Sequence, residues 1–202
     1  RSLIRKGTLE IGAPVKEAVL SEQLGISRAP IREALQVLVQ EGLITSEPQK
    51  GKHVRQMTGK EIYDSYVVAG ILEGAGVAES LPLWTEANME TFRSVVRQME
   101  GKISYATKLD ELAEIDELFH ATLFMACDNT RLVEMARTSC ATISKYLYYQ
   151  HWITMFTPRE SAARPHAVAE AVYSRDVKHV ETALRDHYKE TGLRMAQFGK
   201  EA

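Results

Sequence analysis

The sequence predicts a mostly α-helical protein, with an N-terminal winged helix-turn-helix followed by an all-α helical bundle. Three observations support this fold class. Two short helical segments separated by a glycine turn lie near the N-terminus, a β-prone hairpin follows them, and from residue 58 onward apolar residues recur only at helical spacing. The 202 residues are enough for a small head, residues 1–57, and a larger body, residues 58–202.

The helix that begins near Ser27 carries the most informative pattern of the head. Ser27 is a candidate N-cap, and Pro30 suits the first turn of a helix. Apolar residues then recur every three or four positions, whereas Arg28 and Arg32 lie together on another face. Paired arginines in the first turns, after a short helix and a turn, are typical of a recognition helix in the DNA major groove. The same residues also fit an ordinary amphipathic surface helix.

A predicted hairpin follows this helix directly. Its β-prone runs are residues 43–45 and 53–55, and a turn containing Pro48 and Gly51 joins them. A hairpin in this position is a wing, and basic residues on it suit contact with phosphates or the minor groove. The candidate DNA-contacting residues of the wing are Lys50, Gly51, Lys52 and His53.

Charge is distributed unevenly between the two parts. Residues 1–60 contain 10 lysines and arginines against 6 acidic residues, whereas residues 61–202 contain 15 against 21. A basic head on an acidic body is expected when only the head meets the backbone of double-stranded DNA. No signal peptide or apolar run of roughly 20 residues is evident, so we expect a cytoplasmic protein without a membrane partner. Cys127 and Cys140 are expected to be reduced.

The body reads as a bundle of roughly six helices. Proline, glycine and Asp-Asn breaks separate the segments with helical periodicity. These segments are about residues 60–80, 86–102, 108–127, 130–150, 160–174 and 177–198.

Polar residues on the predicted inward faces of this bundle suggest a metal site. Asp116 and His120 lie one turn apart on an apolar stripe, His187 lies in the stripe of the last helix, and His166 lies on the helix before it. Burying these groups without partners would be costly, whereas a shared Zn, Ni, Mn or Co ion would satisfy all four. Taken singly, each histidine also fits an ordinary hydrogen-bonded position in the core or at the surface.

The head resembles the winged helix of GntR-type bacterial transcription regulators. That resemblance implies that Arg28 and Arg32 contact bases or phosphates and that Gly51 is the wing glycine; we add Ser27, at the start of the same helix, to the candidate DNA contacts. Ala18 stands where many relatives have a DNA-binding arginine. The residues that carry the resemblance are Glu17, Leu20–Glu22, Leu24–Arg28, Pro30–Leu35, Leu38 and Glu41–Ile44.

Residues 60–198 resemble the helical effector-binding domain of the FadR-type branch of the same family. In that branch an aspartate and three histidines bind a metal under an organic-acid effector, and the positions that match are Asp116, His120, His166 and His187.

One departure from the FadR-type pattern affects the effector site. Ala69 stands where many relatives have an arginine that holds the anionic group of the effector. Without this arginine we expect a ligand that is smaller, less charged, or held by another cation such as Lys145 or Arg164. Tyr149, which belongs to an aromatic cluster, is expected to form a wall of the pocket.

The expected function is that of a ligand-responsive repressor of transcription, not an enzyme. A homodimer would place two heads on a short palindromic operator, and a small organic acid bound at the divalent metal would change their spacing. Two alternatives stay open. One is a metal-dependent enzyme acting on a small carboxylic acid, with Glu170 as its base. The other is a regulator whose metal is purely structural.

Overall fold

A computed structural model describes residues 1–201, and for residues 158, 159 and 161–163 it describes the backbone only. Its helical content is 71%, which confirms the predicted fold class. The head contains α1 (Ser2–Arg5), α2 (Glu17–Leu24) and α3 (Arg28–Gln40), followed by the strands β1 (Ile44–Glu47) and β2 (Gly51–Val54).

The head forms a winged helix-turn-helix through local signals. Helix α2 ends at Gly25, which adopts the left-handed conformation (φ 66°) and so permits a sharp turn. Ser27 is the N-cap of α3, although its side chain makes no capping hydrogen bond. Strands β1 and β2 pair in antiparallel register, with Ile44 opposite Val54. The wing therefore projects beside the N-terminal part of α3.

The body is built from seven α-helices in the described part of the chain, one more than the sequence predicted. A π-helical turn (Ile143–Leu147), hereafter the π turn, and 3₁₀ turns at Leu81–Leu83 and Leu109–Leu112 connect them. The helices are α4 (Gly59–Ser80), α5 (Glu86–Ile103), α6 (Ala113–Leu123), α7 (Thr130–Ser139), α8 (Tyr149–Met155), α9 (Pro158–Ser174) and α10 (Val177–Ala196).

The extra helix arises because the predicted segment 130–150 is not continuous. Hydroxyl side chains compete for its backbone carbonyls: Ser139 donates to the Met135 carbonyl (2.6 Å) and Ser144 to the Cys140 carbonyl (3.2 Å). The segment breaks between these residues into α7, the π turn and α8. Such π-helical turns occur frequently at functional sites, and this one forms part of a cavity described below.

Helices α4 and α10 pack along each other at the centre of the body. Glycines allow the close approach, because a Cβ atom on Gly70 would lie 2.9 Å from the Cβ of Tyr188, and one on Gly192 would lie 2.8 Å from the Cβ of Tyr66. By length and mean hydropathy (1.2) the segment Gly59–Leu83 is apolar enough to cross a membrane, which the sequence reading did not anticipate. Half of its most apolar window is buried inside the protein, as in a core helix.

The head and the body share one of the two hydrophobic cores. This core joins Leu43 and Met57 of the head to Tyr66, Ile143 and Tyr148 of the body. The second core lies wholly within the body, between α4, α5, α6, α9 and α10. The π turn and the residue after it therefore lie against the point where the head ends.

Candidate functional site

The exposed face of α3 carries the predicted DNA-contacting arginines. Arg28 is exposed, and the side chain of Arg32 is 61% exposed, so both are accessible to a nucleic acid. Arg32 Nε contacts the Glu17 carboxylate at 3.3 Å, and Lys52 Nζ of the wing contacts the same carboxylate at 3.1 Å. The Lys52 ammonium, followed by Arg32, lowers the pKa of Glu17 from its ordinary value. Glu17 thus fixes a recognition-helix residue and a wing residue relative to each other.

The rest of the wing is less constrained. Lys50 is highly exposed and pairs with Glu47 of the same turn, at 2.8 Å. Gly51 has φ 82°, a conformation that favours glycine. His53 is half-buried, and its backbone bridges to Pro14. The predicted contacts Ser27, Arg28, Arg32, Lys50, Gly51 and Lys52 lie on α3, its N-cap and the wing, whereas the role of Glu17 is not apparent from the sequence, since it depends on a tertiary contact.

A cavity of about 590 Å³ lies in the body. It is bounded by α4, α6, α7, the π turn, α8, α9 and α10, and Arg5 of the head forms part of its wall. All three residues predicted to bind an effector line it, namely Lys145, Tyr149 and Arg164. Its aromatic lining residues are Tyr66, Phe124, Tyr146, Tyr149, Trp152, Phe156 and Tyr188.

Three of the four predicted metal ligands lie on this cavity. His120 Nε2 lies 3.9 Å from Asp116 Oδ1, and the ring centroids of His120 and His187 are 5.3 Å apart. His187 Nδ1 is buried and has no hydrogen-bond partner among the described residues. Burial, together with the nearby Arg164, lowers the pKa of His187 well below its ordinary value, so this imidazole is neutral at pH 7.

His166 does not join the other three, contrary to the prediction. It is exposed, and its Nε2 lies 3.9 Å from Glu170 Oε1 beside a separate depression of about 250 Å³. The reason is the register of α9, in which the residues at helical spacing Pro165, Val168, Ala169 and Val172 are buried. In that register the buried residue is Pro165, and the next residue is rotated by about 100° to the outside.

The predicted four-residue metal site therefore does not fit this structure. Across the residues that the structure describes, no group of three or more His, Cys, Asp or Glu side chains is arranged to hold a metal ion. Metal binding stays a sequence-based prediction, and its ligands would have to be Asp116, His120 and His187 without His166. The enzyme alternative loses its candidate base as well, because Glu170 lies outside the cavity, beside His166.

A buried carboxylate is held beside His120. Glu73 is 2% exposed, and its Oε1 lies 2.6 Å from His120 Nδ1, while its Oε2 accepts a hydrogen bond from the Tyr188 phenol. Burial alone would lower the pKa of His120, but the Glu73 carboxylate raises it to about 9. A charged glutamate–imidazolium pair results. The sequence signal for Glu73 is a lone carboxylate among the small and apolar residues of α4.

Arg164 is the deepest cation in the cavity, with a side chain only 14% exposed. Its Nε donates to Glu190 Oε2 (2.9 Å), and its Nη2 donates to the His187 carbonyl (2.6 Å) and to the Thr191 hydroxyl. The guanidinium carbon lies 4.1 Å from the centre of the Phe156 ring. Burial lowers the pKa of Arg164, but an arginine keeps its charge throughout the physiological range.

The other cations lie at the mouth of the cavity. Lys145 is exposed and pairs with Glu117 at 2.8 Å. The guanidinium carbon of Arg5 lies 4.0 Å from the centre of the Tyr149 ring, and the Arg5 carbonyl accepts a hydrogen bond from Gln150 Nε2 (2.9 Å). Helix α1 of the head thus contacts the aromatic wall of the cavity directly.

Comparison with known families assigns both parts of the chain. A family model described as "Bacterial regulatory proteins, gntR family" matches residues 1–54, and one described as "FCD domain" matches residues 64–190. These two matches coincide with the winged head and the helical body.

Individual relatives agree with the family matches. The chain is 26% identical over 193 residues to the HTH-type transcriptional repressor RspR of Escherichia coli (strain K12), covering 94% of this chain and 82% of that protein. It is 28% identical over 188 residues to a probable D-xylose utilization operon transcriptional repressor of Paenarthrobacter nicotinovorans, covering 91% and 80%. The solved structure of E. coli McbR/YncC has the same fold, with a TM-score of 0.70, 19% identity and coverage of 97% and 92%.

Proposed function

This chain belongs to the gntR family of bacterial transcription regulators and carries an FCD domain, and we propose that it is a cytoplasmic repressor whose DNA binding is controlled by a small organic acid. The observation that carries the proposal is that one cavity of the body is walled partly by the head, through Arg5 on the Tyr149 ring. A ligand in this cavity would therefore touch both the sensing and the DNA-binding parts.

The DNA-binding half of the proposal rests on the head. Two heads related by a two-fold axis would each place α3 in the major groove of one half of a short palindrome. Arg28 and Arg32 then face base edges or phosphates, and Lys50 and Lys52 of the wing face the backbone. The sequence relatives named above are themselves described as repressors, which supports repression as the direction of control.

The ligand-binding half rests on the charges of the cavity. Four lysines and arginines and four acidic residues line the cavity, and protonated His120 adds a fifth cation. The most buried of these cations is Arg164, whose side chain is 14% exposed. An anionic ligand is favoured where such cations are shielded from water. The basic residues that line the cavity are Arg5, Arg137, Lys145 and Arg164.

Control of DNA binding requires that the ligand favour one arrangement of head and body over another. The π turn is the element placed to transmit such a preference. Ser144 and Lys145 of this turn line the cavity, and Tyr148, directly after it, hydrogen-bonds to Met57 at the end of the head. A ligand that shifts the π turn would thereby shift the head.

The proposal is tested first by its DNA. Purified protein is used to select duplexes from a pool of random sequence, in parallel with the Arg28→Ala/Arg32→Ala double variant. The wild type is expected to enrich a short inverted repeat, and the double variant is not. Failure of the wild type to enrich any sequence would contradict the assignment of the head as an operator-binding unit.

A further inference from the structure

We propose that Arg164 binds the carboxylate of the ligand directly, without a metal ion between them, and that the rest of the ligand is apolar or aromatic. This inference rests on the proposed function only in assuming that a small acid occupies the cavity. The fold does not bring together the four metal ligands that were expected from the sequence.

At the level of α9 where the fourth metal ligand was expected, an arginine faces inward instead of a histidine. Helix α9 turns His166 outward, and the residues that face inward at this level are Arg164 and Pro165. The Arg164 guanidinium binds the backbone carbonyl of His187. A divalent ion at the His187 imidazole would therefore lie beside a fixed positive charge, which repels it.

Arg164 is held ready to bind an anion. Hydrogen bonds to Glu190, Thr191 and the His187 carbonyl use Nε and Nη2, and the Phe156 ring supports the guanidinium plane. Its Nη1 makes no hydrogen bond to a described residue. A carboxylate that accepts from Nη1 thus meets a donor whose conformation is already fixed, which limits the entropy lost on binding.

Two further polar groups of the cavity lack partners among the described residues. Tyr66 Oη and His187 Nδ1 are both buried without a hydrogen bond, and both residues line the cavity. Buried polar groups without partners are rare in folded proteins and destabilise them. Both residues line the cavity beside Arg164, but neither exposes its unpaired atom there, so Arg164 is the polar group on which the proposal depends.

The remaining lining indicates the body of the ligand. Trp152, Phe124 and Phe156 line the cavity together with several alanines, so much of the wall is apolar. A wall of this kind favours an aromatic or branched aliphatic acid over a polyhydroxylated one, because hydroxyl groups buried against it would lose hydrogen bonds to water.

The experiment measures acid binding with and without metal. Purified full-length protein is treated with a chelator and its metal content is determined by elemental analysis. Benzoate, 3-methylbutanoate, succinate and gluconate are then tested by thermal unfolding and by calorimetry, before and after addition of Zn²⁺. We expect benzoate or 3-methylbutanoate to bind the metal-free protein, with a Kd changed by no more than about twofold when Zn²⁺ is added.

A matched pair of variants tests Arg164 itself. Arg164→Gln should weaken binding of the same acid by about tenfold or more. Arg194→Gln is the control, since Arg194 also contacts Glu190 and lies 4.3 Å from the centre of the Phe156 ring but does not line the cavity. The control should bind as the wild type does.

Each other outcome overturns a distinct statement. If acid binding disappears with chelator and returns with Zn²⁺, the site is not metal-free, although the proposed function as an acid sensor still stands. This comparison uses the wild-type protein alone, so it does not depend on whether a variant folds. Equal binding by Arg164→Gln and the wild type overturns the role of Arg164. Preference for gluconate overturns the apolar ligand body. No binding of any acid, with or without Zn²⁺, overturns the organic-acid function together with this inference.

Discussion

Tyr148 forms a two-way hydrogen bond with the backbone of Met57: its phenol oxygen accepts from the Met57 N–H at 3.0 Å and donates to the Met57 carbonyl at 3.3 Å. Tyr148 directly follows the π turn of the body, and Met57 is the last residue of the head. The phenol is buried, so water does not compete for either bond. These hydrogen bonds join the end of the head to the residue that directly follows the cavity-lining π turn.

Replacing Tyr148 with Phe should uncouple the ligand from DNA. The change leaves the buried N–H of Met57 without its partner, whereas the Met57 carbonyl still accepts from the Lys200 N–H at 2.9 Å. We expect the free energy of unfolding to fall by roughly 1–3 kcal/mol. Acid binding should persist, whereas the effect of the acid on DNA affinity should shrink. Urea unfolding and DNA anisotropy measure the two effects. Tyr105→Phe, at an exposed tyrosine, is the control. If the acid changes DNA affinity equally in both variants, the Tyr148–Met57 contact does not transmit its effect.

Removing Arg32 tests the recognition helix. If Arg32 reads a base, Arg32→Ala should weaken specific binding by about 1–3 kcal/mol and flatten the preference at one position of each half-site. Arg131→Ala removes an exposed, ion-paired arginine from α7 of the body and should leave DNA affinity unchanged. Both are measured by titration of the selected duplex and its single-base variants. A uniform loss over all sequences would make Arg32 a phosphate contact instead.

Removing Glu73 tests the buried pair through its pH dependence. The pair raises the pKa of His120 from 6.5 to about 9 in the folded protein, so its contribution to stability is full below pH 6.5 and is lost as the pH rises through 9. Glu73→Gln should lower the free energy of unfolding by roughly 3–5 kcal/mol at the acidic end of this range. The difference in the free energy of unfolding between Glu73→Gln and the wild type should become smaller as the pH rises toward 9.

Urea unfolding across this pH range distinguishes the pair from simple packing. Glu117→Gln serves as the control, because Glu117 forms an exposed pair with Lys145 that we expect to contribute little. If Glu73→Gln lowers the free energy of unfolding by the same amount at every pH, the charge of His120 plays no part in stability.

Enlarging Gly70 tests the close packing of α4 on α10. A Cβ atom there would lie 2.9 Å from the Cβ of Tyr188, so Gly70→Ala should destabilise the protein by about 1–3 kcal/mol. Gly101 of α5 has no atom within 4 Å of such a Cβ. Gly101→Ala should therefore stabilise the protein by about 0.5–1 kcal/mol. Thermal unfolding compares the two variants, and a neutral Gly70→Ala would show that the two helices can separate easily.

The sequence predicts the head well because its signals are local. Ser27 and Pro30 mark the start of α3, and Gly51 marks the first residue of β2. Each acts within a few residues of its own position, through capping, a restricted φ angle or a tight turn. The role of Glu17 was not predicted, because its partners, Arg32 and Lys52, are distant in sequence.

The site in the body is predicted less completely because it depends on helix register and on distant contacts. His166 lies outside the buried stripe of α9, to which Pro165 and Val168 belong, so its place depends on which face of the helix packs inward. The partner of His120 is Glu73, 47 positions away, which no local spacing reveals. Arg164 lines the cavity, and its role as an effector-binding cation, inferred from the absence of an arginine at Ala69, stays a prediction.

The most direct test of the account is the effect of a bound acid on DNA affinity. The duplex enriched by selection is labelled, and its affinity for the wild type is measured by fluorescence anisotropy with and without the acid that gives the largest shift in thermal unfolding. We predict that the acid weakens DNA binding by roughly 5- to 150-fold, and that Arg164→Gln removes this effect while it retains DNA binding. An acid that stabilises the wild type but leaves its DNA affinity unchanged would contradict control of the head through the cavity.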